Sequence, residues 1–411
     1  MTQPPLDPVA SDPVTMGWMQ GFPPPPERQV LWRNTDHWRF PKTRWAFSHF
    51  RELIPTVRVG GGHAAPLPRA SDDRLAGVTF TPVGSDTPMT IEQGLLATYA
   101  DGVLIVHRGK VILERWYGVT GPETRHIAFS VTKSFVGTIA ASLIAEGRLD
   151  PNAPVAHYVP ELGSGGFANA TVRQVMDMTT AIDFSEEYTD PRSGIGAYSA
   201  AVGFVPPVAD YAGPRDMWTF LQGLGSNGTH GEAFTYRTCN TDVLNWIVTR
   251  ITGKPFQQNL SERFWQPLGL HDADVMVDPI GTPFAGGGLC LRLEDLARFG
   301  EMIRNQGRAP DGTQLVPADA VTSIRTGGDP DRFDKPHYPV LTTWSYGSQW
   351  WHSHGADGGF SARGIHGQLL WIAPEADLVI ARFGSHPVAG NAGNDPVSIP
   401  MWQAIGRALS E

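Results

Sequence analysis

The sequence predicts an α+β fold: an antiparallel sheet assembled from the first and last thirds of the chain, flanked by helices, with a mainly helical lobe inserted between them. Strand-like segments, rich in branched and aromatic residues and bounded by turn formers, cluster at residues 102–118 and again after residue 345. The stretch from about residue 155 to 280 is instead helical and loop-like. At 411 residues the chain also exceeds the size at which one core usually subdivides, which points to two lobes. The expected boundaries are an N-terminal arm at 1–75 packed on the body, an α+β lobe from 76–160 and 285–411, and a mainly helical lobe at 161–284.

The arm is rich in proline and glycine yet carries Trp18, Trp32, Trp38, Trp45 and Phe47. A freely disordered tail seldom holds so much aromatic surface, so the arm is expected to wrap over the body, and exposed tryptophans on it would suit a homodimer. "GVLIVHRGKVILERWYG" predicts a hairpin turning at His107, Arg108 and Gly109. Next, Val131, Phe135, Ile139 and Leu143 recur every fourth residue, and Val136, Ala140 and Ile144 widen the stripe. This spacing predicts a helix over about 131–146, stopped by Gly147. "TVRQVMDMT" and "NTDVLNWIVTRITG" predict two more helices, the second ending at Gly253. Between them, "GIGAYSAAVGFVPPVADYAGP" is too long for an idle loop and is expected to wall a substrate site. A helix over "EDLARFGEMIRNQG" follows, then strands over "SYGSQWWHSH", "GIHGQLLWIAP" and "ADLVIARFGS", and a last helix from about Ser398 to Leu409.

A net charge of -9 with scattered basic residues supplies no field for phosphate backbones or anionic lipid, so no nucleic-acid or membrane partner is expected. Two cysteines, Cys239 and Cys290, are too few for a disulfide framework and read as buried thiols. The N-terminal residues lack the basic start and apolar core of a signal peptide, and no apolar run of about 18 residues occurs, so a soluble, cytoplasmic protein is expected. "WHSHGADGG" places His352 and His354 on one side of a strand; without a third ligand at a recognisable spacing they predict rim or surface histidines, not a metal site. No phosphate-binding or dinucleotide fingerprint follows a strand, and no cofactor is implied.

The most informative spacing is Ser130 with Lys133 three residues later, at the front of the apolar helix. A serine hydroxyl holds its proton tightly and needs a base within hydrogen-bond reach to become a nucleophile. Residues three apart on a helix share a face, so the amine meets the hydroxyl. Burial would push the lysine toward its neutral, proton-accepting form. The competing reading is a helix-capping serine with a snorkelling lysine. Further along, "FTYRTCNTDVLNWIV" sets Tyr236 just before a helix.

The serine, two residues, lysine pattern resembles the nucleophile motif of the serine β-lactamase and penicillin-binding-protein superfamily. Together with "EGRLDP", "YVPEL", "SEEYTDP", "FAGGGLC" and "GIHGQLLW", it is similar to a narrower branch, that of 6-aminohexanoate-dimer hydrolase, across about residues 95–385, and the N-terminal "RWAFSHFRELIPT" belongs to that resemblance too. The resemblance implies a β-lactamase-like fold and a serine hydrolase acting on a small amide or ester. It makes Ser130 the nucleophile, Lys133 its base and Tyr236 the proton relay to the leaving group. The oxyanion donors it implies are the backbone N–H groups of Ser130 and Ile365.

The chain also departs from the wider superfamily. A tyrosine, any residue, asparagine motif would place asparagine where Thr238 stands, and the usual lysine, threonine, glycine strand reads "ARGI", with Arg363 and Gly364. The lost lysine argues against efficient penicillin hydrolysis. By the same resemblance Tyr188 contacts substrate, while Ser199 falls where an acidic residue recognises a charged amine and Gly286 where a side chain can face the pocket. Both small residues imply a roomier, less polar cleft that favours carboxylic esters over amino-terminated amides. Gly364 permits close backbone approach, and His366 either touches substrate or is a backbone-bonded structural histidine. Alternatives are a short-chain carboxylesterase, a D-alanyl-D-alanine peptidase or β-lactamase, and a binding homologue without turnover.

Overall fold

A computed structural model describes residues 5–410. The first hairpin forms from β1 (Ala100–His107) and β2 (Lys110–Trp116). Its two-residue turn has left-handed φ at Arg108 (50°) and Gly109 (76°), the hand that matches the twist of paired strands. The C-terminal third supplies β3 (Ser345–Gly347), β4 (Trp350–His352), β5 (Phe360–Gly364), β6 (Gln368–Ala373) and β7 (Leu378–Gly384). These build one seven-stranded antiparallel sheet in the order β2-β1-β7-β6-β5-β4-β3. Strand β7 runs beside β1, with Ile380 opposite Ile105, so both ends of the chain meet in one sheet as expected.

Two details differ from the sequence reading. The single strand expected over 345–354 is a tight hairpin, turning at Ser348 (φ 52°) and Gln349 (φ 66°) without the glycine or asparagine that usually announces such a turn. The strand expected from residue 364 begins at Gln368, because Ile365–Gly367 forms a short turn with His366 at φ 61°.

Both sheet faces are covered. Leu104, Val106, Leu370, Ile372 and Val379 enter one core, while their neighbours Val103, Ile105, Leu369, Trp371 and Ile380 enter the other. That is why these strands read as nearly continuous apolar runs. The first core lies under α1 (Val131–Ala145), which touches β4, β5 and β6. Every α1 residue from Val131 to Leu143 is buried, the signature of a helix enclosed on all sides. Its outer side meets α4 (Cys239–Thr252), a helix of the middle third, as are α2 (Val172–Met176) and α3 (Gly194–Ala201). On the same sheet face α5 (Leu293–Arg304) covers β1, β6 and β7, and α6 (Asp395–Ser410) supplies Ile399, Met401 and Trp402 to the opposite core.

The β3–β4 turn is bolted to the helices. Gly137 of α1 lies so close that a Cβ there would stand 2.1 Å from the Ser348 carbonyl oxygen. This contact lets Ser134 Oγ donate to the Gln349 carbonyl at 2.7 Å. The Gln349 amide donates to the carbonyls of Val175 and Met176 in α2, both at 3.1 Å, and its oxygen accepts from Thr241 of α4 at 2.7 Å. One buried side chain thus satisfies backbone and side-chain groups of two helices, and the front of α1 is held where the sheet and the inserted helices meet.

In the arm, Trp45 and Phe47 are buried, and Trp18, Trp32 and Trp38 pack half-buried against the main core. No arm tryptophan is exposed, so the argument for a homodimer from exposed tryptophans loses its premise. The residues 56–59 add a strand to a second sheet by pairing with 273–276. Among the described residues no helix is long and apolar enough to cross a membrane.

Candidate active site

Phe129 takes a left-handed φ of 45°, a conformation bulky residues rarely adopt, and so turns the chain to place Ser130 at the head of α1. The Ser130 side chain makes no capping hydrogen bond, which removes the capping explanation for this serine. Its Oγ instead accepts from Lys133 Nζ at 3.1 Å. Lys133 also donates to Thr238 Oγ1 at 3.2 Å and to the Gly286 carbonyl. The departure at Thr238 is therefore not an empty place, since its hydroxyl meets the amine directly.

Lys133 is fully enclosed, and burial lowers its pKa to about 8, against the opposing pull of Glu186, Asp242 and Cys239. Asp242, buried on α4, is pushed up to about 7 by burial, with Lys133 pulling the other way. Its carboxyl accepts from the Gly286 N–H at 3.0 Å and from the Tyr198 hydroxyl at 2.9 Å. The Gly286 peptide thus spans the pair, its N–H toward the acid and its carbonyl toward the amine. A Cβ on Gly286 would lie 2.6 Å from Asp242 Oδ2 and 2.7 Å from Thr238 Cγ2. This corrects the expectation of a roomier cleft at Gly286: the space is filled by Asp242, Thr238 and Phe284.

Tyr236 stacks on Trp351, with centroids 5.5 Å apart, and Lys133 Nζ lies 5.4 Å from its ring centre. Burial pushes the phenol well above its ordinary range, and a hydrogen bond with Ser130 opposes that shift. Ser130, Lys133 and Tyr236 are therefore brought together from α1 and the entry to α4. Burial favours the neutral forms of both the amine and the phenol.

Ser130 and Ile365 line one hollow of about 40 Å³ together with Tyr188, Ser199 and Gly286. Neither the Ser130 nor the Ile365 N–H is engaged in a turn, loop or cap hydrogen bond among the described residues. Gly364 lines the adjoining hollow, and its missing side chain serves close packing within the chain, since a Cβ would stand 2.7 Å from the Ala128 carbonyl oxygen. Arg363 pairs with Asp395 and lies over Trp344 and Trp351. It is no free cation for a β-lactam carboxylate.

Tyr188 donates to Glu186 Oε2 at 2.6 Å, and the other oxygen of Glu186 accepts from the Thr238 N–H. Glu186 thus ties Tyr188 to the segment carrying Tyr236, a link the sequence alone did not reveal. The ring of His366 does not enter the cleft. It is buried, its Nδ1 bonds the His386 carbonyl at 2.7 Å, and Trp38 and Phe47 pack on it edge to face. Burial lowers its pKa to about 4, so the structural alternative stands and substrate contact does not. His352 is likewise buried, not at a rim, whereas His354 bonds Ser345 Oγ at 2.7 Å. Among the described residues no three His, Cys, Asp or Glu side chains converge on a metal position. Cys239 and Cys290 are buried free thiols, as expected.

The beta-lactamase family profile matches residues 90–395, a span holding every strand of the main sheet and all three converging side chains. The chain belongs to the beta-lactamase family. A 6-aminohexanoate-dimer hydrolase from Paenarthrobacter ureafaciens is 37% identical over 359 residues, covering 86% of this chain and 88% of its own length. A Bacillus anthracis protein provisionally assigned as a 6-aminohexanoate-dimer hydrolase superposes with a TM-score of 0.83 at 27% identity, covering 93% of this chain and 98% of its own. A penicillin-binding-protein homologue from Caulobacter crescentus, at 17% identity and a TM-score of 0.59 over 84% of this chain and all of its own, shares the fold. This beta-lactamase family member is thus a serine hydrolase in the 6-aminohexanoate-dimer hydrolase branch.

Proposed function

We propose that this hydrolase cleaves carboxylic-ester and amide bonds of small molecules through an acyl-enzyme on Ser130. The observation that carries the reading is Lys133 Nζ at 3.1 Å from Ser130 Oγ, in a site where burial brings the amine to about 8. Neutral Lys133 takes the Ser130 proton as Oγ attacks the carbonyl carbon. The oxyanion falls to the Ser130 and Ile365 N–H groups, where a lost donor typically costs about 2.7–4 kcal/mol. The tetrahedral species collapses as the Tyr236 phenol protonates the leaving atom, and the Lys133 ammonium returns a proton to the phenolate. The net result of these three transfers is one proton moved from Ser130 to the leaving group. Water repeats the sequence on the acyl-enzyme and restores Ser130.

The Paenarthrobacter relative is named for 6-aminohexanoate dimer, an amide with a cationic amine at one end. This chain offers the Ser199 hydroxyl in the cleft where that branch would use an acid, so esters and amides without a cationic amine on the acyl chain are its expected substrates. The experiment is a pH–rate profile of p-nitrophenyl butyrate hydrolysis. A base with pKa lowered from 10.5 to about 8 is protonated and inactive below that value, so kcat/KM is expected to rise with pH through about 8. Asp242→Asn removes an anion that holds the proton on Lys133, and the rising limb is expected to move to lower pH. A profile flat across this range, or a limb unmoved in Asp242→Asn, contradicts Lys133 as the base.

A further inference from the structure

The cleft has two arms that meet at Ser130. One, of about 300 Å³, contains Tyr236, Glu186, Glu187, Arg363 and Asp395. The other starts at the small hollow holding Ser130 and Ile365 and continues, across Trp38, Tyr188, Ile195, Ser199 and Phe204, into a cavity of about 360 Å³. Tyr236 borders only the first of these. If Tyr236 protonates the departing atom, the leaving group lies in the first arm and the acyl chain must run into the second. This orientation rests on the function proposed above.

The acyl arm has aromatic and aliphatic walls and one charged lining residue, Arg39. Arg39 is set there by the arm turn Asp36–Trp38, whose Trp38 ring is wedged edge to face between Phe129 at 6.0 Å and Phe204 at 5.0 Å. The nearest acidic residue in sequence, Asp36, is occupied by Lys42 at 3.1 Å. Among the described residues no ion pair or hydrogen bond holds the Arg39 guanidinium, which leaves its donors for a ligand. A guanidinium in the wall of a mostly apolar cavity attracts a carboxylate and repels an ammonium.

We propose that the acyl arm accepts straight acyl chains ending in a carboxylate, so that monoesters and monoamides of dicarboxylic acids are the preferred substrate class, with Arg39 the specificity-determining residue. The polarity is opposite to that demanded by an amino-terminated acyl chain.

Three p-nitrophenyl esters of matched length test this: the monoester of adipic acid, the hexanoate and the 6-aminohexanoate. The adipate monoester is expected to exceed the hexanoate in kcat/KM by about fivefold, the upper range for a solvent-facing ion pair, with the 6-aminohexanoate slowest. The advantage is expected to shrink with added salt, to vanish in Arg39→Gln and to reverse in Arg39→Glu. Because the Arg39 side chain is exposed, these variants keep the fold. The ratio of anionic to cationic ester reports charge recognition, which a merely structural arginine would not move. Hydrolysis of all three esters with a ratio unchanged in Arg39→Gln overturns this inference and leaves the acyl-enzyme reading standing. No hydrolysis of any ester and no acylation of Ser130 overturns both.

Discussion

Ser130→Ala is expected to lower kcat for ester hydrolysis roughly 10⁶-fold, the loss seen when one member of a cooperating nucleophile and base is removed. The variant should still fold. Removing one hydroxyl leaves Lys133 with Thr238 Oγ1 at 3.2 Å and the Gly286 carbonyl as partners, so no buried amine is stranded. Circular dichroism and thermal unfolding check the fold, and burst kinetics with p-nitrophenyl butyrate check the activity. Lys133→Arg keeps a cation at the same place yet is expected to be nearly as inactive, because a guanidinium does not give up its proton at accessible pH. Activity in Lys133→Arg close to that of the parent would mean that the residue supplies charge and not a base.

Tyr236→Phe is expected to separate amides from activated esters. The stack on Trp351 needs only the ring and survives the change, whereas the phenolic proton is lost. An amine cannot leave an acyl centre without a proton, so hydrolysis of a linear amide should fall by about 10²–10⁴-fold, the usual worth of general acid catalysis. Nitrophenolate leaves without protonation, and acylation by a p-nitrophenyl ester should fall far less. Equal losses on both substrates, measured as kcat/KM, would place Tyr236 in positioning instead of proton transfer.

What was legible in the chain follows from how local each signal is. The Ser130–Lys133 spacing is a property of one helical turn, and the apolar stripe that continues from it identified α1 to within a residue or two of its ends, Val131–Ala145. The strand pair at residues 100–116 was equally plain, because branched residues and the Arg108–Gly109 turn lie side by side. The Gln349 turn was hidden, since its left-handed residues are stabilised by contacts with α1, α2 and α4 that come from distant sequence. The helix α3 was read as an irregular wall for a related reason. Gly194 and Gly196 in its first turn are poor helix formers that mask the favourable alanines behind them, and a serine cap at Ser193 starts it.

Within the site, motif positions told where Tyr236 and Ile365 fall but not what surrounds them. Gly286 looked like a missing side chain and proved to be a required close approach between Lys133 and Asp242. Asp242, an acid within the apolar face of α4, carried the clearest overlooked signal, because a buried carboxyl needs partners to justify its desolvation. His366 shows the reverse case, a polar residue beside the site whose ring serves the packing of Trp38 and Phe47.

The most direct measurement is the mass of the protein after reaction with a fluorophosphonate, followed by peptide mapping of the adduct. A single adduct on Ser130, formed faster as pH rises through about 8 and absent in Ser130→Ala, is the result predicted. An adduct on another residue, or ester turnover that persists undiminished in Ser130→Ala, would contradict an acyl-enzyme built on Ser130, Lys133 and Tyr236.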